Sequence, residues 1–324
     1  MNTDAVAEAR VSPGFRLHPV DIEEPLGRAR SAMRQWGRPK EGPVDDHSEL
    51  LNLFWNILIV LGAVAASVAV MLLVRRGAPP GGYFSDSDRA SGVFGVLATG
   101  FAIFAGFVIF LAFTSYDESR SGAEREGLTL VQQYETAQSL PVGVRGRLTG
   151  QLVCYGRYVV NQEWALMEHG KAGGTFNPWG FALFRTAKGA APTTAVELSA
   201  YDKWLDQTSD REEARRDRIH GATGVIPTSL WLVLFTLAGV VFVYMLFYAD
   251  SAERARSQAM MIGSATAALA VTLLAIHTLD NPYRPGLGSV KPVAMQRSLR
   301  MVDEARAVLR DTAPIPCDRA GVAP

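Results

Sequence analysis

FLAFTSYDESRSGAEREG, residues 110–127, begins apolar and ends as salt. No Asp, Glu, Lys or Arg occurs from Ala90 to Tyr116, whereas the ten residues from Asp117 to Glu126 hold six. Such a boundary is either a buried core strand meeting a loop or a membrane helix leaving a bilayer. The rest of the chain decides between them.

The average composition suits a soluble protein: 324 residues, zero formal net charge and 48% apolar residues. Mean hydropathy is only +0.09. The charges, however, are segregated. Residues 50–74, 90–116, 219–249 and 257–279 lack every ionised side chain, over 25, 27, 31 and 23 residues. A helix rises about 1.5 Å per residue and a hydrocarbon core is roughly 30 Å thick, so about 20 apolar residues span it. Four such runs, each bounded by charge, point to a membrane protein. Tyr116 fits the interface, where an aromatic ring lies in lipid and its hydroxyl reaches water. The first run starts behind a polar tail, so it is expected not to be a cleavable signal peptide.

The predicted fold class is all-α: four transmembrane helices, with a helical extramembrane bundle inserted between spans 2 and 3. The expected parts are a disordered Pro-rich tail over 1–49, a hairpin of spans 50–74 and 90–116, and a bundle over 117–220. A second hairpin over 221–280 holds spans 226–249 and 257–279, and a C-terminal tail covers 281–324. No internal repeat is visible. Leu128, Val131 and Tyr134 share one face of a bundle helix. Pro141 starts another, on which Val144, Leu148, Leu152, Tyr155, Val159 and Gln162 form a stripe. Residues 170–174 with Asn177-Pro178 read as a loop. A charged helix is expected over 202–218, and a short one around 298–309. The narrow apolar faces need partners, either each other or another subunit.

Within about 20 residues of the spans, the face carrying the bundle and both termini holds fourteen Lys or Arg, against five on the other. That bias places the bundle in the cytoplasm and the protein in the inner (plasma) membrane. Cys154 and Cys317 are the only cysteines. Nothing in their placement requires a disulfide, and Cys154 is expected as a small buried hydrophobe.

Signs of catalysis are sparse. There is no phosphate loop, CxxC pair, zinc-protease motif or nucleophile elbow. The five histidines are scattered, so neither a metal nor a cofactor is expected, and the chain is not expected to be an enzyme. Glu163 with His169 reads better as a helix C-terminus than as an acid–base pair. His277 with Asp280 reads as interfacial groups solvated by headgroups, and 212–218 as either a lipid-facing basic run or a solvated ion-paired helix. A neutral chain without a recognition module argues against nucleic acid. The expected partners are the bilayer, further copies of the chain and, on one reading, a cytoplasmic protein.

Span 2 has the one informative membrane pattern. Phe94, Leu97, Phe101, Phe104, Val108 and Leu111 follow i+3, i+4 spacing. Gly95, Thr99, Ala102 and Gly106 follow it on the nearly opposite face. Small residues let helices approach closely in lipid. The large face then meets lipid or, turned toward a symmetry axis, forms a hydrophobic constriction.

A further set of positions spans the chain: 119–130 with Glu126, then Tyr134, Leu140-Pro141, and Tyr155 leading to Glu163-Trp164. Arg218 follows, ahead of Pro227 and Trp231, and the exit is Leu279-Asp280-Asn281-Pro282-Tyr283. Together these resemble the bestrophin-like domain family of bacterial four-span membrane proteins, over residues 50–299. The resemblance implies likeness to bestrophins, pentameric anion channels with a hydrophobic neck on the second span. The chain departs from the pattern in its long Pro-rich start. It also lacks the acidic cluster of the bestrophin calcium clasp, so calcium gating is not implied. Two functions follow: an oligomeric anion channel with span 2 lining the pore, or a non-conducting scaffold or sensor.

Overall fold

The computed structural model describes residues 46–171, 176–286 and 288–323. Most of the expected N-terminal tail and residues 172–175 of the expected loop lie outside them. Every regular element among the described residues is helical.

Among the described residues four helices are long and apolar enough to cross a membrane. They are α1 (Asp46–Arg76), α2 (Ser87–Ala137), α7 (Thr228–Leu246) and α8 (Ala255–Asp280). Helix α1 begins at Asp46, inside the expected tail, and ends before Pro79-Pro80, which cannot continue a helix. Asp86 caps α2, its carboxylate accepting from the Arg89 amide at 3.0 Å. Pro227 precedes the first turn of α7.

Helix α2 is the spine. Its 51 residues make a rod of roughly 75 Å, more than twice the thickness of a hydrocarbon core. The charge boundary at Asp117 therefore falls within one unbroken helix. The apolar half packs on α7 and α8, burying Phe101, Val108, Leu234, Val241 and Ile276. The charged half packs on α3 (Val142–Tyr158), α6 (Ala195–His220) and α9 (Val293–Leu309), and α4 (Trp164–Glu168) and α5 (Pro178–Lys188) complete the same core, α5 against α3.

The stripe after Pro141 is buried at Val144, Leu148, Leu152, Tyr155 and Val159, and half-buried at Gln162. A π-helical turn, Val159–Glu163, then joins α3 to α4. The wider turn carries both Glu163 and Trp164 to the inside. On α2, Leu128 is exposed and Val131 half-buried; the helix turns Glu126, Leu130, Gln133 and Tyr134 inward instead. Leu148→Asp would place a carboxylate where nothing is exposed, at a cost of several kcal/mol, on the order of 2–7. Limited proteolysis should then cut within 142–220 while α1, α2 and α7 stay protected. Wild-type resistance would show that the stripe is not packed.

Two elements exceed the sequence expectation. Helix α5 follows Asn177, whose side chain accepts from the Trp179 amide, with Pro178 in the first turn. Helix α6 starts before residue 202 because Thr194 and Glu197 form a capping box. It buries Ala200, Trp204, Gln207, Arg211, Ala214 and Arg218 at i+3 and i+4 steps. The run 212–218 is therefore solvated on one side only: Glu213 and Arg216 are exposed, whereas Ala214 and Arg218 are buried.

Helices α2 and α6 meet at Gly122. A Cβ there would lie 2.5 Å from the Arg218 amide nitrogen and 2.8 Å from the Ala214 carbonyl oxygen. Only glycine permits that approach, and it sets the distance across which Arg218 reaches α2.

Candidate functional site

Arg218 lies between two carboxylates. Its Nε donates to Glu126 Oε2, and its Nη2 donates to Glu126 Oε1 at 3.1 Å and to Glu163 Oε2 at 2.5 Å. The Trp164 ring lies under the guanidinium, its centroid 5.7 Å away, and Nη1 contacts Met167 Sδ at 3.4 Å. Glu163 also receives Arg215 at 3.2 Å and the Asn177 amide group at 2.9 Å. Tyr155 donates to Glu126 Oε1 at 2.6 Å. Arg211 stacks on the Tyr155 ring at 4.7 Å and donates to Gln133 at 2.6 Å. Tyr283 donates to the Arg218 carbonyl. One cluster thus ties α2, α3, the π turn, α4, α6, the cap of α5 and the turn after α8.

The electrostatics keep Glu163 and Arg218 ionised. Burial opposes charge on Glu163, but Arg218 and then Arg215 outweigh it and lower its pKa. Burial likewise works against the Arg218 cation, and Glu126 and Glu163 overcome it, raising its pKa. Burial and the Glu126 charge push the Tyr155 hydroxyl well above its usual range. Neither carboxylate is open to solvent, and each is held by hydrogen bonds from the arginines and neighbouring side chains, so the arrangement is a clamp. Among the described residues no three His, Cys, Asp or Glu group as a metal site would.

Of the positions that carried the family resemblance, Glu126, Tyr155, Glu163, Trp164, Arg218 and Tyr283 converge here. The others do not. Tyr134 donates to Asp311 at 3.1 Å, and Pro141 and Pro227 precede helices. Pro282 lies beside Gly221, where its Cγ would be 3.1 Å from an added Cβ. Asp280 is buried, contrary to the headgroup-solvated expectation. Its Oδ1 accepts the Val225 and Ile226 amides at 2.7 and 2.9 Å, and its Oδ2 accepts the Trp231 indole at 3.3 Å. It caps the entry to α7, while His277 stays exposed. His169 is the C-cap of α4. Cys154 is buried, but as half of a disulfide with Cys317, 163 residues away. That separation hid the bond from sequence reading.

The apolar half of α2 has two unlike faces. Phe101 and Val108 are buried against α7 and α8; Phe94, Leu97 and Phe104 are half-buried on the same cluster. Phe94 stacks on Tyr244 at 6.1 Å. Gly95, Thr99, Ala102 and Gly106 are exposed, and a Cβ on Gly95 or Gly106 would meet nothing within 4 Å. Beside them Val96, Ile103, Phe107 and Phe110 are 73%, 70%, 57% and 64% exposed. These steps of seven, four and three keep one side of the helix. None of the described residues covers it.

The family model of the bestrophin-like domain matches residues 61–295. The chain belongs to the bestrophin-like domain family. Two single-substitution variants of a bacterial bestrophin homologue from Klebsiella pneumoniae share the fold. One superposes with a TM-score of 0.55 at 13% identity, covering 75% of this chain and 98% of that one. The other gives 0.53 at 12%, covering 78% and 98%. A crystal structure described only as that of a membrane protein variant gives 0.54 at 12% identity, covering 79% and 99%. No curated protein sequence matches the chain. The arrangement of this bestrophin-like chain is thus shared, while sequence likeness to the solved structures is low.

Proposed function

We propose that this bestrophin-like protein is the subunit of an oligomeric anion channel, in which α2 lines the pore. The observation that carries the reading is the open stripe on α2. Val96, Ile103, Phe107 and Phe110 lie there beside small residues, uncovered by any described residue of the chain. Copies around an axis would cover it: the small residues admit close approach, and the large ones narrow the lumen. Ile103 and Phe107 form the proposed constriction. The aromatic face of Phe94, Leu97, Phe101, Phe104 and Val108 then supports the pore helix from behind. Choice of anion over cation rests on the family likeness.

In this reading α2 leaves the membrane after Tyr116, and its charged half anchors a cytoplasmic bundle between spans 2 and 3. Both termini are cytoplasmic, following the Lys and Arg bias. Cysteines at Ser87 and Ser251 in a cysteine-free background should react with an impermeant thiol reagent on intact cells, and one at Ser209 should not. The reverse pattern would refute the orientation. The channel reading is tested by closed ring symmetry in purified particles.

One observation favours the scaffold alternative. Phe176, Phe181 and Phe184 are 67%, 53% and 55% exposed beside a groove of about 460 Å³ that Arg211 and Arg215 also line. A protein partner on the bundle would dock there, and single particles without ring symmetry would support it.

A further inference from the structure

After α9 the chain turns at Arg310 and runs along α3 as a strap. The contacts keep a strict register. Ala313 lies over Gly146, Pro314 and Pro316 lie over Gly150, Cys317 bonds Cys154, and Gly321 lies on the Tyr158 backbone. Positions 146, 150, 154 and 158 form one i+4 ridge of the helix. Glycines flatten its first half: a Cβ on Gly146 would be 3.1 Å from Ala313 Cβ, and one on Gly150 would overlap the Pro314 carbonyl. Gly321 has a φ of +80°, and its own Cβ would collide with Tyr158. Strap and ridge are therefore built for each other.

The end of the strap reaches the ion cluster. Arg157 donates to the Asp318 carbonyl at 3.2 Å, and Trp179 Nε1 donates to the Gly321 carbonyl at 2.6 Å. Trp179 stands in the first turn of α5, whose cap Asn177 donates to Glu163. Strap, cap and cluster form one chain of contacts. Cys154 is fully buried, whereas Cys317 is partly exposed.

We propose that Cys154–Cys317 is a reversible thiol–disulfide latch that fastens the strap, and through Trp179 and Asn177 fixes the cap beside Glu163. The proposal rests on the cytoplasmic placement of the bundle, because disulfides in that compartment are usually transient or sensing. A dithiol reductant of the thioredoxin class supplies two electrons. One thiolate attacks the exposed Cys317 sulfur, breaking the S–S bond and releasing the Cys154 thiolate, which takes a proton. The reductant's second thiolate then attacks its own sulfur in the mixed disulfide. Cys317 leaves and is protonated, and the reductant departs as a disulfide. Reduction frees the segment beyond Pro316, whose remaining holds are hydrogen bonds and Gly321 packing.

Thiols are trapped in acid-quenched cells with a maleimide that adds mass. Growing cells should yield two free thiols per chain, cells treated with a permeant oxidant none, and washed cells two again. A pair oxidised in growing cells, or free under oxidant, would overturn the latch. Outside labelling of the cysteine at Ser209 would separately refute the placement, so the two failures are distinguishable. In purified full-length protein, hydrogen exchange at Asp318, Gly321, Val322 and Trp179 should rise on the order of tenfold on reduction and in Cys317→Ser. It should fall again when the reduced wild type is reoxidised. Exchange that does not change with oxidation state would also overturn the proposal.

Discussion

Arg218→Ala should unfold the bundle packed on the charged half of α2 under conditions where the wild type is stable. The change removes one cation from between Glu126 and Glu163, which are 0% exposed. Breaking a buried ion pair by deleting one partner costs about 3–5 kcal/mol, because the stranded charge stays desolvated. That is a large share of the roughly 5–15 kcal/mol by which domains are stable. Arg216→Ala, an exposed cation one turn position away, should change stability by no more than about 0.5 kcal/mol. The pH dependence gives the mechanism. In the wild type Glu163 has a lowered pKa, so its contribution is complete above the ordinary value of 4.5 and is lost as pH falls through the folded value. In the variant only Arg215 and Asn177 still oppose burial at Glu163, so its pKa rises from the wild-type value. The gain in stability that the wild type shows as pH rises through that value should then shrink or reverse. Thermal unfolding of both proteins across pH 3 to 8, about the range where carboxylates titrate, checks the sign. Parallel profiles would show that Arg218 does not hold Glu163 ionised.

Gly122→Ala should have a comparable effect from a single methyl group. Its Cβ would fall 2.5 Å from the Arg218 nitrogen and 2.8 Å from the Ala214 oxygen, and both are backbone atoms. A rotamer change cannot relieve that overlap, so α6 must move away from α2. Overpacking costs typically about 1–3 kcal/mol, and here the shift also lengthens the Arg218–Glu126 pair. Ser121→Ala, half-buried next to it, supplies the control. Thermal unfolding that is equal in both variants would mean that the helices can separate freely at this point.

The membrane half was legible because lipid demands long runs without charge, and only length and composition are needed to see them. The α3 stripe was legible for a similar reason: Val144 to Val159 repeats at helical spacing within one element. The ion cluster was less so. Glu126, Tyr155, Glu163 and Arg218 stood out singly, but their meeting depends on the π turn and on the glycine contact between α2 and α6. Arg211 and Arg218 lie on the buried stripe of α6, at i+3 and i+4 steps from Trp204, Gln207 and Ala214. Their charge made that stripe read as solvent-facing. The capping box at Thr194 and Glu197, and Asn177-Pro178 ahead of α5, were local signals that could have located both helix starts. The Cys154–Cys317 bond had no local signal. On α2 the spacing separates two faces as sets, but which set packs within the chain depends on α7 and α8, which lie far along the sequence.

The open stripe is the central claim, and chloride efflux from liposomes tests it most directly. Wild-type protein and Ile103→Ala/Phe107→Ala are reconstituted at equal density, with Phe101→Ala alongside as a change on the packed face. The account predicts efflux above empty vesicles for the wild type and several-fold faster efflux for the double variant, because smaller side chains widen and wet the constriction. Efflux at the empty-vesicle level from assembled wild type and double variant alike would contradict it.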